Sequence, residues 1–170
     1  MNRNWDKSFD MVIVHEGGFV DNKLDPGGAT NWGCTQAVWE QYVGHQVTVD
    51  TIKNLTKEDV KPLYKKRYWD AIHGDAIPSG LDYCLFDAAI NSGVGRSSKW
   101  IQEIVGVTAD GAIGNNTVAA ITQINPVTAI NEFCDKRQAF LESLATFATF
   151  GKGWTQRVKD VRAKALEMAT

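Results

Sequence analysis

Two carboxylates, each close to a pair of glycines, are the side chains of this sequence best suited to carry out a reaction. Glu16 stands before Gly17-Gly18 in the segment HEGG, and Asp25 begins the segment DPGGAT nine residues later. Hydrolysis of a glycosidic bond uses such a pair, because one carboxyl donates a proton to the leaving oxygen while an ionised one directs water or stabilises positive charge on the sugar. The pair predicts a glycosidase site, and two ordinary turn acids are the alternative.

The elements around the two acids predict different protonation states for them. Apolar side chains recur every three or four residues from Trp5 to Ile13, which predicts a helix that extends to Glu16 and ends at the two glycines. The negative end of a helix dipole and apolar neighbours both disfavour a charged carboxylate, so Glu16 is predicted to be the general acid. Asp25 lies among glycines whose bare backbone allows a sugar to approach, and we expect it to stay ionised.

The loop that follows Glu16 also offers binding groups. Gly28 lets the backbone come close to a substrate. Trp32 is the tryptophan best placed to stack on a sugar ring, and the following are instead predicted in the core: Trp5, Trp69, Trp100 and Trp154. Asp21, Asn22 and Asp25 could form a cation loop, but a Ca²⁺ loop uses more oxygen ligands at alternating positions. We therefore predict no metal ion and no organic cofactor.

The motifs around these residues resemble a known family. HEGG, six residues and then DPGGATNWGCT are similar to the signature of glycoside hydrolase family 108, the lysozyme-like N-acetylmuramidases of phages and prophages. Residues 81–121 resemble the peptidoglycan-binding segment that follows in those proteins, and FGKGWTQRV, at residues 150–158, resembles its closing motif. The likeness covers nearly the whole chain.

The resemblance implies roles for individual residues. Glu16 matches the catalytic glutamate, and Asp25 and Thr30 fall where related phage lysozymes carry the rest of a Glu–Asp–Thr triad, in which the threonine positions the attacking water. Four residues separate Asp25 from Thr30, one fewer than is common in those lysozymes. The implied function is an endolysin that hydrolyses the β-1,4 bond between N-acetylmuramic acid and N-acetylglucosamine and lyses the cell. The alternatives are a non-catalytic wall-binding module, a lytic transglycosylase and a chitinase.

Helical patterns occupy most of the remaining sequence. Thr56 is a typical N-cap residue for a helix to about Trp69, and Asn125-Pro126 begins a long helix predicted to end near Phe150, where Gly151-Lys152-Gly153 interrupts the pattern. The predicted fold is mainly α, lysozyme-like and two-lobed, with at most a small β element in the N-terminal third. Residues 1–80 are predicted to form the catalytic segment and residues 81–170 a helical peptidoglycan-binding segment, packed together as one compact unit.

A polar series on the helix predicted at residues 81–91 is a second candidate binding surface. Tyr83, Asp87 and Asn91 are four residues apart and therefore share one face beside the apolar stripe. They are predicted to line a sugar cleft. A solvated polar stripe, or an Asp87–Asn91 pair that supports the helix end, is the alternative.

Composition limits the class of protein and its partners. Of 170 residues, 44% are hydrophobic and 22% charged, which is typical of a folded globular chain, and the net charge of −2 gives no overall attraction to nucleic acid. No nucleic-acid partner is therefore predicted, and the resemblance implies the peptidoglycan glycan strand as the partner, bound by a monomer. Three cysteines, an odd number without metal-ligand spacing, are predicted to be reduced and packed as small hydrophobic side chains: Cys34, Cys84 and Cys134.

The N-terminal residues Met1–Lys7 contain no apolar run typical of a secretion signal, and no stretch of the sequence has the roughly 18 apolar residues of a membrane span. We therefore expect synthesis in the bacterial host cytoplasm without a signal peptide, and no stable membrane insertion. Action on the wall in the periplasm would then follow membrane permeabilisation, assisted by a holin.

Overall fold

The computed structural model describes residues 4–170 and has the predicted mainly α fold, with a small sheet in its first third. Met1–Arg3, part of the segment expected to carry no export signal, lie outside the described residues. The first elements are α1 (Trp5–Ile13), β1 (Thr30–Asn31), β2 (Cys34–Thr35), α2 (Gln36–Val43), α3 (Val49–Lys53) and α4 (Lys57–Tyr64). The later helices are α5 (Leu81–Ser92), α6 (Val94–Val105), α7 (Asn115–Ile121), α8 (Pro126–Glu142) and α9 (Phe147–Ala169).

Two compact units make up the described chain. Asp6–Arg67 form the smaller unit, and Tyr68–Thr170 form the larger unit together with Asn4 and Trp5. The division predicted from sequence, between residues 80 and 81, falls inside the larger unit. No helix among residues 4–170 is both long and apolar enough to cross a membrane.

In the smaller unit, α1 packs against α4 through a ring contact and an ion pair. The Phe9 and Tyr64 rings lie edge to face with their centroids 5.8 Å apart, and Lys61 Nζ lies 2.7 Å from an Asp6 carboxylate oxygen. Thr56 begins α4 as predicted, since its side chain accepts from Asp59 N while the Asp59 side chain accepts from Thr56 N, a capping box. A π-helical segment, Lys65–Trp69, then continues α4.

In the larger unit, α5 is the buried helix. Every residue from Leu81 to Ala89 is buried, as expected of a helix that is apolar on nearly all sides. The Phe86 ring contacts those of Trp5 and Trp69 at centroid distances of 5.5 Å. These two tryptophans are buried, so their predicted core positions are confirmed.

The predicted helix break at Gly151–Gly153 is wrong. The chain leaves α8 after Glu142, and α9 runs from Phe147 through both glycines. Gly151 is buried beneath the Phe147 ring, and a Cβ at position 151 would lie 2.7 Å from that ring. This glycine therefore serves close packing inside a helix, whereas the sequence pattern suggested a helix end.

Candidate active site

The hairpin between β1 and β2 turns at Trp32 and Gly33. Thr30 pairs with Thr35 and Asn31 with Cys34, so two residues form the turn, and both have positive φ, 52° and 71°. A type I′ turn requires this geometry at both central positions and favours Asn-Gly. A tryptophan at the first position is strained by roughly 1–2 kcal/mol, and such strain persists only where neighbouring contacts fix the residue.

Both ends of Trp32 are fixed. Its indole Nε1 donates to the Leu55 carbonyl at 2.9 Å, and its own carbonyl accepts from the Tyr64 hydroxyl at 2.8 Å. The side chain stays partly exposed. The predicted sugar-stacking residue is therefore held rigidly at the surface of the smaller unit.

The neighbouring Asn31 attaches the hairpin to the end of α3. Its buried Nδ2 lies within hydrogen-bond distance of three carbonyls, those of Ile52 at 3.0 Å, Lys53 at 3.1 Å and Leu55 at 3.3 Å. The last carbonyls of a helix have no partner within the helix. Asn31 satisfies them from the hairpin, and the turn is thereby positioned against residues 52–55.

Glu16 lies directly against this turn. A Cβ at position 33 would lie 2.5 Å from Glu16 Oε2 and 2.5 Å from the Tyr64 hydroxyl oxygen, closer than real Cβ contacts come. The two oxygens are therefore at most about 5 Å apart, twice that distance. Glycine at position 33 is required both by its φ and by the carboxylate and hydroxyl that occupy the space of a side chain.

The predicted position of Glu16 at the end of a helix is wrong in detail. The last residue of α1 is Ile13, and Glu16 lies in the following turn, where its backbone N–H donates to the Ile13 carbonyl at 3.1 Å. It therefore stands beyond the last helical turn, where the dipole effect fades. Its side chain is half-buried.

Asp25 is exposed at the start of the glycine loop. Its Oδ1 accepts from Gly27 N at 2.8 Å, and its carbonyl accepts from Gly28 N at 3.1 Å, so the side chain closes a local turn. Gly28 has a φ of 77°, and a Cβ there would lie 2.9 Å from Gln36 Oε1. The loop conformation itself requires Gly28, whether or not the backbone also approaches a substrate.

Thr30 lies at the closed end of this loop. Its backbone exchanges two hydrogen bonds of 2.8 Å with Val20, and its side chain is half-buried. Within residues 4–170, the Thr30 hydroxyl makes no hydrogen bond to another residue. The hydroxyl is thus available to a water molecule or a substrate. Glu16, Asp25, Gly28, Thr30 and Trp32 all belong to the smaller unit.

A groove of about 300 Å³ lies between α2 and the segment formed by α4 and the π-helical residues that follow it. Its lining residues are Val38, Gln41, Tyr42, Leu63, Lys66 and Arg67. Lys66 and Arg67 belong to a run of basic residues in the π-helical segment after α4, and here they border a concave surface.

Cys34, in β2, does not act as a nucleophile next to this site. Burial raises its pKa to about 11, and the nearby Arg67 opposes that rise only in part. A thiol with such a pKa is protonated at neutral pH and unreactive. All three cysteines are buried, as predicted for small hydrophobic side chains.

Burial removes Tyr83 and Asp87 from the predicted sugar-binding surface. Asp87 has no exposed surface and is paired with Arg137 Nη1 at 2.6 Å and Arg157 Nη2 at 2.9 Å. Arg137 Nη2 also donates to Asn91 Oδ1 at 3.3 Å. Burial alone would raise the pKa of Asp87, but the two guanidinium groups outweigh it and hold that pKa below its usual range. Of the three residues, Asn91 alone is exposed.

Tyr64 is the neighbour of Glu16 that the sequence did not predict. It lies on the apolar face of α4, and its ring is buried, so the helical pattern indicated only a core residue. Its hydroxyl lies at the site, where it donates to the Trp32 carbonyl of the hairpin at 2.8 Å. A buried tyrosine hydroxyl needs such a polar partner. This requirement is the one feature of the sequence that indicates more than a core role for Tyr64.

Two family models match this chain. A family model described as Glycosyl hydrolase 108 matches residues 9–93, a range that includes Glu16, Asp25, Thr30 and Trp32. A second, described as Predicted Peptidoglycan domain, matches residues 96–159. No curated protein matches the chain.

A solved structure, that of Brucella abortus SagA, is similar over nearly the full length of both chains. The two sequences are 43% identical, and the match covers 99% of this chain and 97% of that chain with a TM-score of 0.87. At this identity and coverage the likeness extends to sequence as well as fold.

Proposed function

The chain belongs to the glycosyl hydrolase 108 family, and on this premise we propose that it is a muramidase that hydrolyses the β-1,4 bond between N-acetylmuramic acid and N-acetylglucosamine. With its matched peptidoglycan domain, the chain is a peptidoglycan-degrading glycoside hydrolase that acts on the cell wall. We propose three things beyond this: which bond is cleaved, which residues cleave it, and that cleavage lyses the cell.

The observation that carries the proposal is the convergence of Glu16 and Tyr64 on Gly33. The carboxylate and the hydroxyl occupy the space that a side chain at position 33 would need. The hydroxyl is held by the Trp32 carbonyl, and the turn is held by Asn31. A half-buried carboxyl in such a fixed position suits a general acid, since proton donation requires a defined distance and direction.

The proposed reaction uses Glu16 on one side and Asp25 with Thr30 on the other. Glu16 transfers its proton to the glycosidic oxygen while the bond between that oxygen and the anomeric carbon breaks. The oxygen of a water molecule bonds to the anomeric carbon, and one of its protons passes to the Asp25 carboxylate. The Thr30 hydroxyl positions this water. Solvent then takes the proton from Asp25 and returns one to Glu16.

Substrate recognition is proposed for Trp32 and the loop at Gly28. The partly exposed indole of Trp32 is rigid, so it can stack on a sugar ring without losing much side-chain entropy. Gly28 carries no side chain that would block the backbone of the loop from the glycan.

The central test is Glu16→Gln, which removes the transferable proton and preserves the size of the side chain. We expect the rate of peptidoglycan solubilisation to fall by about 10²–10⁴-fold, with unchanged binding to insoluble peptidoglycan and an unchanged Tm. Glu58→Gln, at an exposed position of α4, is the matched control. Solubilisation at the normal rate by Glu16→Gln would contradict the proposal.

Mass analysis of the released fragments tests the reaction type. Hydrolysis leaves a reducing N-acetylmuramic acid end. An anhydro-sugar end would instead mean a lytic transglycosylase, which needs only the acid, and cleavage of chitin would mean a chitinase. Binding without any cleavage by the unaltered chain would mean a wall-binding module.

Cell lysis completes the proposal. The enzyme acts as a monomeric endolysin of phage or prophage type, made in the bacterial host cytoplasm, and reaches the wall in the periplasm once a holin has permeabilised the membrane. The test is expression with and without a separate pore-forming protein, followed by culture turbidity. Rapid clearing only in the presence of the pore is the expected result, and equal clearing without it would contradict this part.

A further inference from the structure

A second groove lies in the larger unit, between the α5–α6 junction and the helices α8 and α9. It has a volume of about 260 Å³ and is lined by Asn91, Ser92, Arg96, Phe140, Leu141, Leu144 and Trp154. Most of these residues fall within residues 96–159, the part matched by the peptidoglycan domain. That match indicates peptidoglycan as the ligand but does not locate its binding site.

Two aromatic side chains, Phe140 and Trp154, line this groove, and Phe150 lies next to Trp154. Trp154 is only half-buried, so its predicted core position is wrong. Its ring lies 5.7 Å from that of Phe150 with an angle of 31° between the planes, and Phe150 is 54% exposed. Neighbouring aromatic rings exposed on one face indicate a binding surface. Such rings are suited to the apolar faces of sugars.

Hydrogen-bond donors also line the groove. The Arg96 guanidinium lies 4.1 Å from the centroid of the Phe140 ring, a cation–π contact that limits its motion. Within the described part of the chain, Arg96 has no ion pair or hydrogen bond. The Asn91 Oδ1 accepts from Arg137, and the amide N–H groups of this exposed residue are donors. A carboxylate and an acetamido carbonyl are the groups that these donors suit.

Gly153 keeps the aromatic surface open. Phe150 and Trp154 are four residues apart and share one face of α9, and Gly153, three residues after Phe150, borders that face on the Phe150 side. Glycine is a poor helix former, and a Cβ at position 153 would meet nothing within 4 Å. Packing therefore explains Gly151, under the Phe147 ring, but does not explain Gly153.

We propose that this groove is the peptidoglycan-binding site of the larger unit. A sugar ring of the glycan strand stacks on Trp154, and a carboxylate of the attached muramyl peptide pairs with Arg96. Asn91 donates to the acetamido carbonyl of the same sugar. The inference rests on the proposed function for the identity of the polymer, and it adds the location of the binding site and the groups that recognise it.

The experiment measures binding of the full chain to purified insoluble peptidoglycan in a Glu16→Gln background, where nothing is degraded. Trp154→Ala is expected to weaken binding about tenfold, as is typical for loss of one stacking platform. Arg96→Gln is expected to weaken binding to intact peptidoglycan and to leave binding to glycan strands stripped of peptide unchanged. Lys99→Gln, which removes the same charge at another exposed position of α6, is the matched control.

Gly153→Leu separates binding from folding. Leucine is a better helix former than glycine, so Tm should be maintained or rise while binding falls about tenfold or more. Normal binding by both Gly153→Leu and Trp154→Ala, or equal weakening by Lys99→Gln and Arg96→Gln, would overturn the inference.

Failure of the proposed function gives a different result. If the unaltered chain leaves peptidoglycan uncleaved, yet the groove variants lose binding, the inference stands and the muramidase proposal fails. If cleavage depends on Glu16 and the groove variants bind normally, only the inference fails.

Discussion

Two carboxylate sites of this protein differ in how deeply they are buried. In the larger unit, Asp87 has no exposed surface and binds two guanidinium groups, those of Arg137 and Arg157. In the smaller unit, Glu16 is half-buried against Gly33 and Asp25 is exposed, with one local hydrogen bond to Gly27 N. A carboxylate surrounded by its own chain stabilises the fold, whereas one that remains accessible is available to a substrate.

Exposure and partners, rather than residue type or helical spacing, distinguish these roles. Tyr83, Asp87 and Asn91 have the spacing of a binding surface, yet burial and two arginines make Asp87 a structural residue. The comparison predicts that substitutions at Asp87 change stability and that substitutions at Asp25 change activity.

The largest expected effect is that of Asp87→Ala on stability. Removal of one partner leaves the fully buried Arg137 with an uncompensated charge, which costs about 3–5 kcal/mol in the free energy of unfolding. Chemical denaturation measures it. Asp135→Ala, which breaks an exposed pair with Arg162, is the control and should cost less than about 1 kcal/mol. Similar losses for the two variants would contradict the comparison.

The next effect is that of Asp25→Asn on activity. We expect a fall of about 10²-fold in the rate of peptidoglycan cleavage, because asparagine cannot take a proton from water. The amide oxygen can still accept from Gly27 N, so the free energy of unfolding should change by less than about 0.5 kcal/mol. Asp21→Asn in the same loop is the matched control for the cleavage assay. Cleavage by Asp25→Asn at the normal rate would show that water is handled by another group.

Gly33→Ala is expected to change both stability and activity. A Cβ in the left-handed region costs roughly 1–2 kcal/mol, and it would also displace the Glu16 carboxylate and the Tyr64 hydroxyl. We expect lower stability together with impaired cleavage. Gly17→Ala serves as the control, because a Cβ at position 17 meets nothing within 4 Å. Full activity of Gly33→Ala would show that the precise position of Glu16 does not matter.

The smallest expected effect is that of pH on the stability that Asp87 contributes. At neutral pH this carboxyl is ionised in both the folded and the unfolded chain, so its contribution does not change there. Burial opposes this charge, but Arg137 and Arg157 lower the folded pKa of Asp87 below its unfolded value. Its contribution to stability is therefore complete above the unfolded pKa, near 4, and is lost as pH falls through the folded pKa. Denaturation of Asp87→Asn and the unaltered chain at decreasing pH should show converging stabilities in acid. A constant difference at all pH values would contradict the assignment.

Local signals in the sequence predicted the elements that depend on neighbouring residues. The N-caps at Thr56 and Asn125 were predicted from side chains that bond to backbone groups three residues away, and both are confirmed. The glycine loop and the hairpin follow from a contiguous motif. These features require no knowledge of the rest of the chain.

Features that depend on distant partners could not be predicted. Arg137 and Arg157 lie 50 and 70 residues from Asp87, and Tyr64 lies 32 residues from the carbonyl that holds its hydroxyl. The uninterrupted course of α9 depends on how Phe147 packs over Gly151, which no helix-breaking rule contains. The chemistry of Glu16 was thus inferred from its motif, but its immediate surroundings required the structure.

The closed glycine loop also determines where this protein can change in length. Val20 and Thr30 are joined by two backbone hydrogen bonds, and residues 21–24, all exposed, form the outer part of the loop, where Asn22 accepts local hydrogen bonds from Leu24 N and Asp25 N. After Asp25, the carbonyls of Gly27 and Ala29 accept from the backbone N–H groups of Ala37 and Gln36, which fixes this part of the loop against α2. Insertions should therefore be tolerated before Asp25 and rejected after it. Divergent members of the family are expected to vary in loop length on the first side alone, which preserves the distance from Asp25 to Thr30.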